Sequence, residues 1–110
     1  IMLDLPDYAT LDRLEADVIS VSHGTNCWTR TPHSAAMVRA GLDAFLEIVR
    51  QGHPETPVVA ISPITRPDAE ASPNRLGATL VDLRAAFEAV VGARMRAIEA
   101  HLRWELRRLA

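Results

Sequence analysis

Val18, Ile19 and Val21 form a short β-branched run between Asp17 and Gly24, too brief for a helix and too apolar for an exposed edge. The run predicts a buried parallel strand. Pro57-Val58-Val59-Ala60-Ile61, closed by Ser62-Pro63, repeats the pattern and predicts a second strand. Between the two the period changes. Val38, Leu42, Phe45, Leu46 and Val49 fall on one helical face, with Thr31 as the expected N-cap, Pro32 at the first helical position, and Gly52 with Pro54 as the stop.

A third apolar stripe, Leu76, Leu80, Leu83, Phe87, Val90 and Val91, follows Ser72-Pro73, which again reads as a cap followed by proline. Gly92 marks either the end of that helix or a close packing contact, because glycine costs a helix interior about 1 kcal/mol relative to alanine. Ile98, Leu102, Leu106 and Leu109 carry a helical stripe to the C-terminus. At the other end, Asp7 or Thr10 is placed to cap a short helix reaching about Ala16, with Leu11 and Leu14 as its apolar pair.

Helix, strand, helix, strand, helix implies crossover connections and a parallel sheet with helices on its faces. The class is therefore α/β, read as a partial flavodoxin-like three-layer α/β/α arrangement with a short parallel sheet and a long C-terminal helix. Two strands cannot bury both faces and both edges of such a sheet, so the chain reads as a piece of a larger unit: residues 1–95 as a partial α/β domain and 96–110 as a C-terminal helical extension.

Composition narrows the function classes. The chain has 110 residues, 48% hydrophobic and 24% charged, and a net charge of -2, which fits one soluble globular domain and argues against a nucleic-acid partner. All twelve basic residues are arginine, a bias that coding composition explains as well as binding does. The single cysteine, Cys27, permits no internal disulfide, so packing must hold the fold. No run approaches the roughly 18 apolar residues of a membrane helix. Stable membrane insertion is not expected, no targeting signal is visible, and a cytoplasmic setting, slightly favoured, and an exported one both fit. The chain begins with Ile1 rather than Met, so upstream residues are expected to be missing.

In an open parallel sheet, ligands bind beyond the carboxyl ends of the strands, which is where His23-Gly24-Thr25-Asn26-Cys27-Trp28 falls. Gly24 allows the chain to turn sharply off the strand. Asn26 offers a neutral side-chain N–H donor, the group an oxyanion hole requires. A strand followed by Gly-Thr-Asn resembles the third conserved block of the SGNH (GDSL-type) hydrolases, a Gly-x-Asn-Asp motif. The helix and strand that follow match the family's usual continuation, and the resemblance spans about residues 1–95.

The resemblance implies an ester or acyl hydrolase in which Asn26 stabilises the tetrahedral oxyanion and Gly24 makes the loop turn. It implies a small-molecule ester substrate for the complete domain and no cofactor. Two departures stand out. Cys27 occupies the position where the family commonly has Asp. The family's Gly-Asp-Ser block with the nucleophile, its Gly block with the second oxyanion donor, and its Asp-x-x-His are not found in the chain. Leu3-Asp4 resembles the stretch just after the Gly block, which implies a sequence cut immediately downstream of it, and on this reading the 110 residues alone are inactive.

Other residues carry competing readings. Asn26 also suits a turn that bonds its own backbone. Cys27 and His23 form a conceivable thiol and base, but a half-buried structural thiol is the simpler account. Trp28, with Cys27, lines a substrate pocket beside Asn26, or else covers the sheet end as packing. Ser62 lacks the Gly-x-Ser-x-Gly elbow of a nucleophile and reads as a loop start. His23, His33, His53 and His101 show no paired metal-ligand spacing, so no metal is expected, and His101 sits in a helical context unsuited to the family's base.

The segment Arg94 to Ala110 carries five Arg against Glu99 and Glu105, with Glu99 and Arg103 a favourable i, i+4 pair on a solvated face. An amphipathic partner-binding or membrane-surface helix, with Ile98, Leu102, Leu106 and Leu109 as its apolar face and Trp104 beside it, is the alternative. It belongs to a second reading of the whole chain as a small noncatalytic α/β or mostly helical module that self-associates into a homo-oligomer through its apolar sheet edges or its C-terminal helix.

Overall fold

The computed structural model describes residues 15–22 and 27–109. The elements run β1 (Ile19–Ser22), α1 (Ala35–Gly52), β2 (Val58–Ile61) and α2 (Leu80–Leu109). β1 and β2 pair in parallel, with Ile19 opposite Val58 and Ser22 opposite Ile61. A small α/β fold with a two-stranded parallel sheet and a long C-terminal helix is what the two short apolar runs and the two helical stripes predict. The helix expected from Asp7 or Thr10 lies outside the described residues, except for Glu15 and Ala16, which are exposed and form no regular element.

Side chains alternate across a strand, so each strand offers one face to a partner layer. Ile19 and Val21 of β1, with Val58 and Ala60 of β2, pack against Leu42, Phe45 and Leu46 of α1 and Phe87, Val90 and Val91 of α2. Both helices thus cover the same sheet face. On the other face Val59 is 50% exposed and Ile61 47%, and Val18, just before β1, is also exposed. The expectation of fully buried strands is corrected accordingly: a strand is buried on both sides only where layers cover both, and the described helices supply one.

The helix starts are also corrected. Thr31 does not cap α1. The His33 N–H donates back to the Cys27 carbonyl at 2.8 Å, which keeps Thr31 to His33 in a loop, and Ser34 becomes the N-cap, its hydroxyl accepting from Met37 N–H at 3.2 Å. Ser72-Pro73 does not open α2 either. Asn74 to Ala78 form a turn in which Gly77 takes a φ of 81°, a left-handed conformation that halts helical propagation. The helix instead nucleates at a reciprocal capping box: Thr79 N–H donates to Asp82 Oδ2 at 2.9 Å and Asp82 N–H to Thr79 Oγ1 at 3.1 Å. Leu76, expected in the buried stripe, lies on the exposed side of this turn.

From Leu80 the stripe behaves as its spacing predicts. Leu80, Leu83, Ala86, Phe87 and Val90 are buried. Gly92 does not end the helix; the nearest atom a Cβ would meet there is the Arg96 guanidinium at 3.3 Å. The helix runs unbroken across residue 95, and beyond Val91 its apolar residues Met95, Ile98, Leu102, Leu106 and Leu109 are exposed. Arg94 is the outermost described tether of α2 to α1. Its guanidinium donates to Asp43 Oδ1 at 3.0 Å, to the Asp43 carbonyl at 2.8 Å and to Glu47 at 3.3 Å.

Candidate functional site

Parallel strands deliver their following loops to the same end of the sheet, and here the loops after β1 and β2 are joined to each other. The first contains Cys27 to Ser34 and the second Ser62 to Thr79. Cys27 is buried among Val38, Ala78, Leu83 and Ala86, where its thiol packs as a small hydrophobe. Trp28 lies at the edge of that cluster, half-buried, and its indole N–H donates to the Ser72 carbonyl at 2.8 Å across 44 residues of sequence. Gly24 and Asn26, and His23 beside them, lie outside the described residues.

Asn74 holds the junction. Its side-chain nitrogen donates to the His33 carbonyl at 2.9 Å and to the Cys27 carbonyl at 3.4 Å, while its side-chain oxygen accepts from the N–H groups of Leu76 at 2.9 Å and Ala78 at 3.0 Å. Two backbone donors on one side and two carbonyls on the other leave only one orientation of the amide that satisfies all four. A single side chain therefore shapes the second loop and ties down the first.

The second loop is braced from α2. Arg84 donates to the carbonyls of Pro63 and Ile64, each at 3.1 Å, and grips both oxygens of Glu70, at 2.7 Å and 3.1 Å. Glu70 also accepts from Arg66 N–H at 3.1 Å, and the Arg66 guanidinium lies over the Trp28 ring, 5.3 Å from its centre. The Arg84 hydrogen bond, then that from Arg66 N–H, hold the Glu70 carboxyl below its ordinary range against the opposing effect of partial burial. The same bond raises Arg84.

The sign of the pH effect follows. A carboxyl whose pKa is lower folded than unfolded contributes stability above its unfolded value, near about 4, and loses it as pH falls through the folded value. Asp82, lowered chiefly by Thr79 N–H, acts in the same direction. The thermal midpoint is therefore expected to fall as pH drops below about 4, and Glu70→Gln to flatten that fall. Midpoints measured from pH 7 to pH 2.5 check this; a Glu70→Gln profile parallel to wild type contradicts it.

The other expected residues are placed as follows. Ser62 donates its hydroxyl to Glu88 Oε1 at 3.2 Å, a contact between the loop start and α2. His33 Nδ1 lies 2.6 Å from the Thr31 carbonyl, so that nitrogen bears the proton and donates. His53 is the buried C-cap of α1. His101 lies on the exposed half of α2, stacked on Trp104 and 3.9 Å from Glu105. No group of three His, Cys, Asp or Glu side chains among the described residues is placed to hold a metal ion, and no described helix is long and apolar enough to cross a membrane.

An apolar groove of about 260 Å³ lies elsewhere: Leu46, Val58, Ala60, Val91 and Ile98 line it, with Arg50 and Arg94 alongside. Val58 is the first residue of β2, so this groove reaches the amino end of the sheet, opposite the joined loops. The site is therefore placed by strand direction and by the bonded loops, not by concavity. Sequence reasoning missed Asn74, Arg84 and Glu70; the Asn-Arg-Leu-Gly run marks a turn, but nothing local announces its distant partners. No protein-family model matches the chain, and neither a curated protein nor a solved structure is detectably similar to it.

Proposed function

We propose that these residues are the central portion of an SGNH-type ester or acyl hydrolase. In that reading Asn26 donates its side-chain N–H to the oxyanion of the tetrahedral intermediate, Gly24 makes the turn that presents it, and Trp28 with Cys27 borders the acyl group. The Ser nucleophile, the second oxyanion donor and the Asp and His of the charge relay come from sequence outside these 110 residues. The observation that carries the reading is the direction of β1: it runs parallel to β2, Gly-Thr-Asn follows it closely in sequence, and the described part of the loop after it, from Cys27 on, is bonded to the loop after β2. Catalysis there would be electrostatic. A neutral donor fixed before reaction stabilises charge that develops only in the transition state.

The fold proposed for the complete domain is a three-layer, flavodoxin-like α/β/α sandwich. The half-exposed sheet face with Val59 and Ile61, which no described helix covers, supports this, since a parallel sheet is ordinarily covered on both sides. A second reading draws on the same exposure together with Met95, Ile98, Leu102, Leu106 and Leu109 on α2: a noncatalytic module that pairs with a second copy.

One experiment separates them. The polypeptide encoded by the reading frame containing this sequence is assayed with p-nitrophenyl acetate, in parallel with sedimentation of the 110-residue chain. Ester hydrolysis by the longer polypeptide, with none by the 110 residues, supports the hydrolase. A frame without a Gly-Asp-Ser block upstream, or a longer polypeptide without activity, overturns it, and a concentration-dependent dimer of the 110 residues then carries the second reading.

A further inference from the structure

We infer that the exposed half of α2 is an interface with a second copy of this chain, the two helices running antiparallel so that each ends in the other's apolar groove. The inference takes its surface from the second reading above and is independent of ester hydrolysis. Val91, Met95 and Ile98 line the groove between α2, β2 and α1. Leu102, Leu106 and Leu109 repeat the same three positions eleven residues on, and a repeat of that length stays on one line of a nearly straight helix. One unbroken apolar stripe therefore begins in the groove and leaves it along the part of α2 that projects past the core, where Met95, Leu106 and Leu109 are 64%, 68% and 74% exposed.

The stripe is self-complementary in one orientation. Laid antiparallel about a two-fold axis near Ala100, Ile98 meets Leu102 of the second copy, Met95 meets Leu106 and Val91 meets Leu109, and each contact occurs twice. The flanks agree, because like flanks face each other in an antiparallel pair: Glu99 comes level with Arg103 on one flank, and Glu105 with Arg94 on the other. Such charges set register more than affinity. The two cores then lie at opposite ends of the helix pair, whereas a parallel pair would set them side by side. Leu106 and Leu109 of one copy come to rest against Leu46, Val58 and Ala60 of the other, which form the far wall of the groove.

Lipid fits the stripe less well than a second copy. Its flanks alternate in sign, where a helix lying on an anionic membrane is basic along both, and Arg50 at the groove is spent on the carbonyls of His53, Pro54 and Thr56, each at 3.0 Å. Trp104, 51% exposed, stands two positions from both Leu102 and Leu106, stacked on His101 and under Arg108, so it lies on the opposite side of α2 rather than beside the stripe. A projecting helix end supported by in-helix ion pairs, Glu99 with Arg103 and Glu105 with Arg108, is marginal in water without packing. Pairing buries the stripe twice together with both grooves, on the order of the 1,000 Å² that a specific interface requires.

Sedimentation is expected to show a dimer for the 110-residue chain and for the longer polypeptide alike. Leu102→Asp, at the centre of the stripe, is expected to raise the dissociation constant by at least about 100-fold, and Trp104→Asp to shift it by less than about threefold. In dilute solution, where the chain is monomeric, stripe variants keep the wild-type urea midpoint, because these side chains lie outside the core. Orientation is read by oxidation: Met95→Cys and Leu106→Cys chains, once mixed, are expected to cross-link to each other and neither to itself. A monomer at about 100 µM for either polypeptide overturns the interface, and leaves the hydrolase reading standing if that polypeptide cleaves ester. A dimer that survives Leu102→Asp but is lost on Val59→Asp keeps self-association, moves it to the half-exposed sheet face and overturns this interface alone. Cross-links within one variant mark a parallel pair and overturn the groove filling. Monomers that bind phosphatidylglycerol vesicles, and lose that binding on Leu102→Asp, assign the stripe to lipid and also overturn it.

Discussion

Phe87→Ala is expected to destabilise the fold by about 3–5 kcal/mol, enough to leave a large fraction of a marginally stable domain unfolded. Phe87 is 2% exposed and packs in the cluster where α1, α2 and the covered sheet face meet, with Val21, Leu42, Leu46 and Val90 around it. Because both helices lie on the same side of a two-stranded sheet, that ring touches every layer of the described fold. Removing it costs the transfer energy of the lost atoms, and adds a cavity that two short strands cannot close without losing their pairing. Leu106→Ala on the same helix is the control. Leu106 is 68% exposed and truncating it is expected to change stability by less than about 0.5 kcal/mol. Urea unfolding followed by circular dichroism, with the slope held constant, reads both. Equal midpoints for the two variants would place the core elsewhere.

The same contrast explains what was legible in the sequence. The stripe Val38, Leu42, Leu46 and Val49 repeats at helical spacing because it faces the interior, Leu42 and Leu46 against the sheet and Val38 against Cys27 and α2, and each of these residues is buried as the period predicts. The two strands announce themselves by β-branching. Burial of their second face did not follow from their composition, because it depends on a layer that the strand does not encode: Val59 and Val58 are the same residue type, yet only Val58 packs on the core. Helix starts misled for a related reason. Thr31-Pro32 and Ser72-Pro73 are good local starts, but His33 N–H is committed to Cys27 and the Asn74 turn to Gly77, and in each case the helix begins at the next capping residue. The apolar period through Leu109 was equally legible as helix, whereas its exposure was not, since α2 outruns the elements it packs on.

The candidate site divides in the same way. Its location follows from strand direction and a Gly-x-Asn run, both of which can be read locally. Its bracing cannot, because Asn74 lies 41 residues from His33 and 47 from Cys27, and Arg84 lies 14 from Glu70. Short polar side chains that join distant loops carry no period. They become visible only when the two strands are laid parallel and their loops emerge together.

On the proposed hydrolase reading, Asn26→Ala in the longer polypeptide is expected to lower kcat by about 10² to 10³ with KM little changed. The size follows from what is lost: one preorganised donor, about 2.7–4 kcal/mol of transition-state stabilisation, with nucleophile and base intact. KM should hold because the ground-state carbonyl oxygen carries little charge, and the donor is used fully only once that oxygen becomes an oxyanion. Asn26→Asp sharpens the case. It keeps the size of the side chain but sets a carboxylate, which accepts and does not donate, against a developing negative charge, so its kcat should fall at least as far as that of Asn26→Ala. A loop Asn that merely bonds its own backbone predicts the reverse order, because Asp makes the same turn that Asn does and Ala does not. The ranking of the two variants, read as kcat from initial rates on a short-chain ester, therefore decides between an oxyanion donor and a turn residue even if both variants lose some activity.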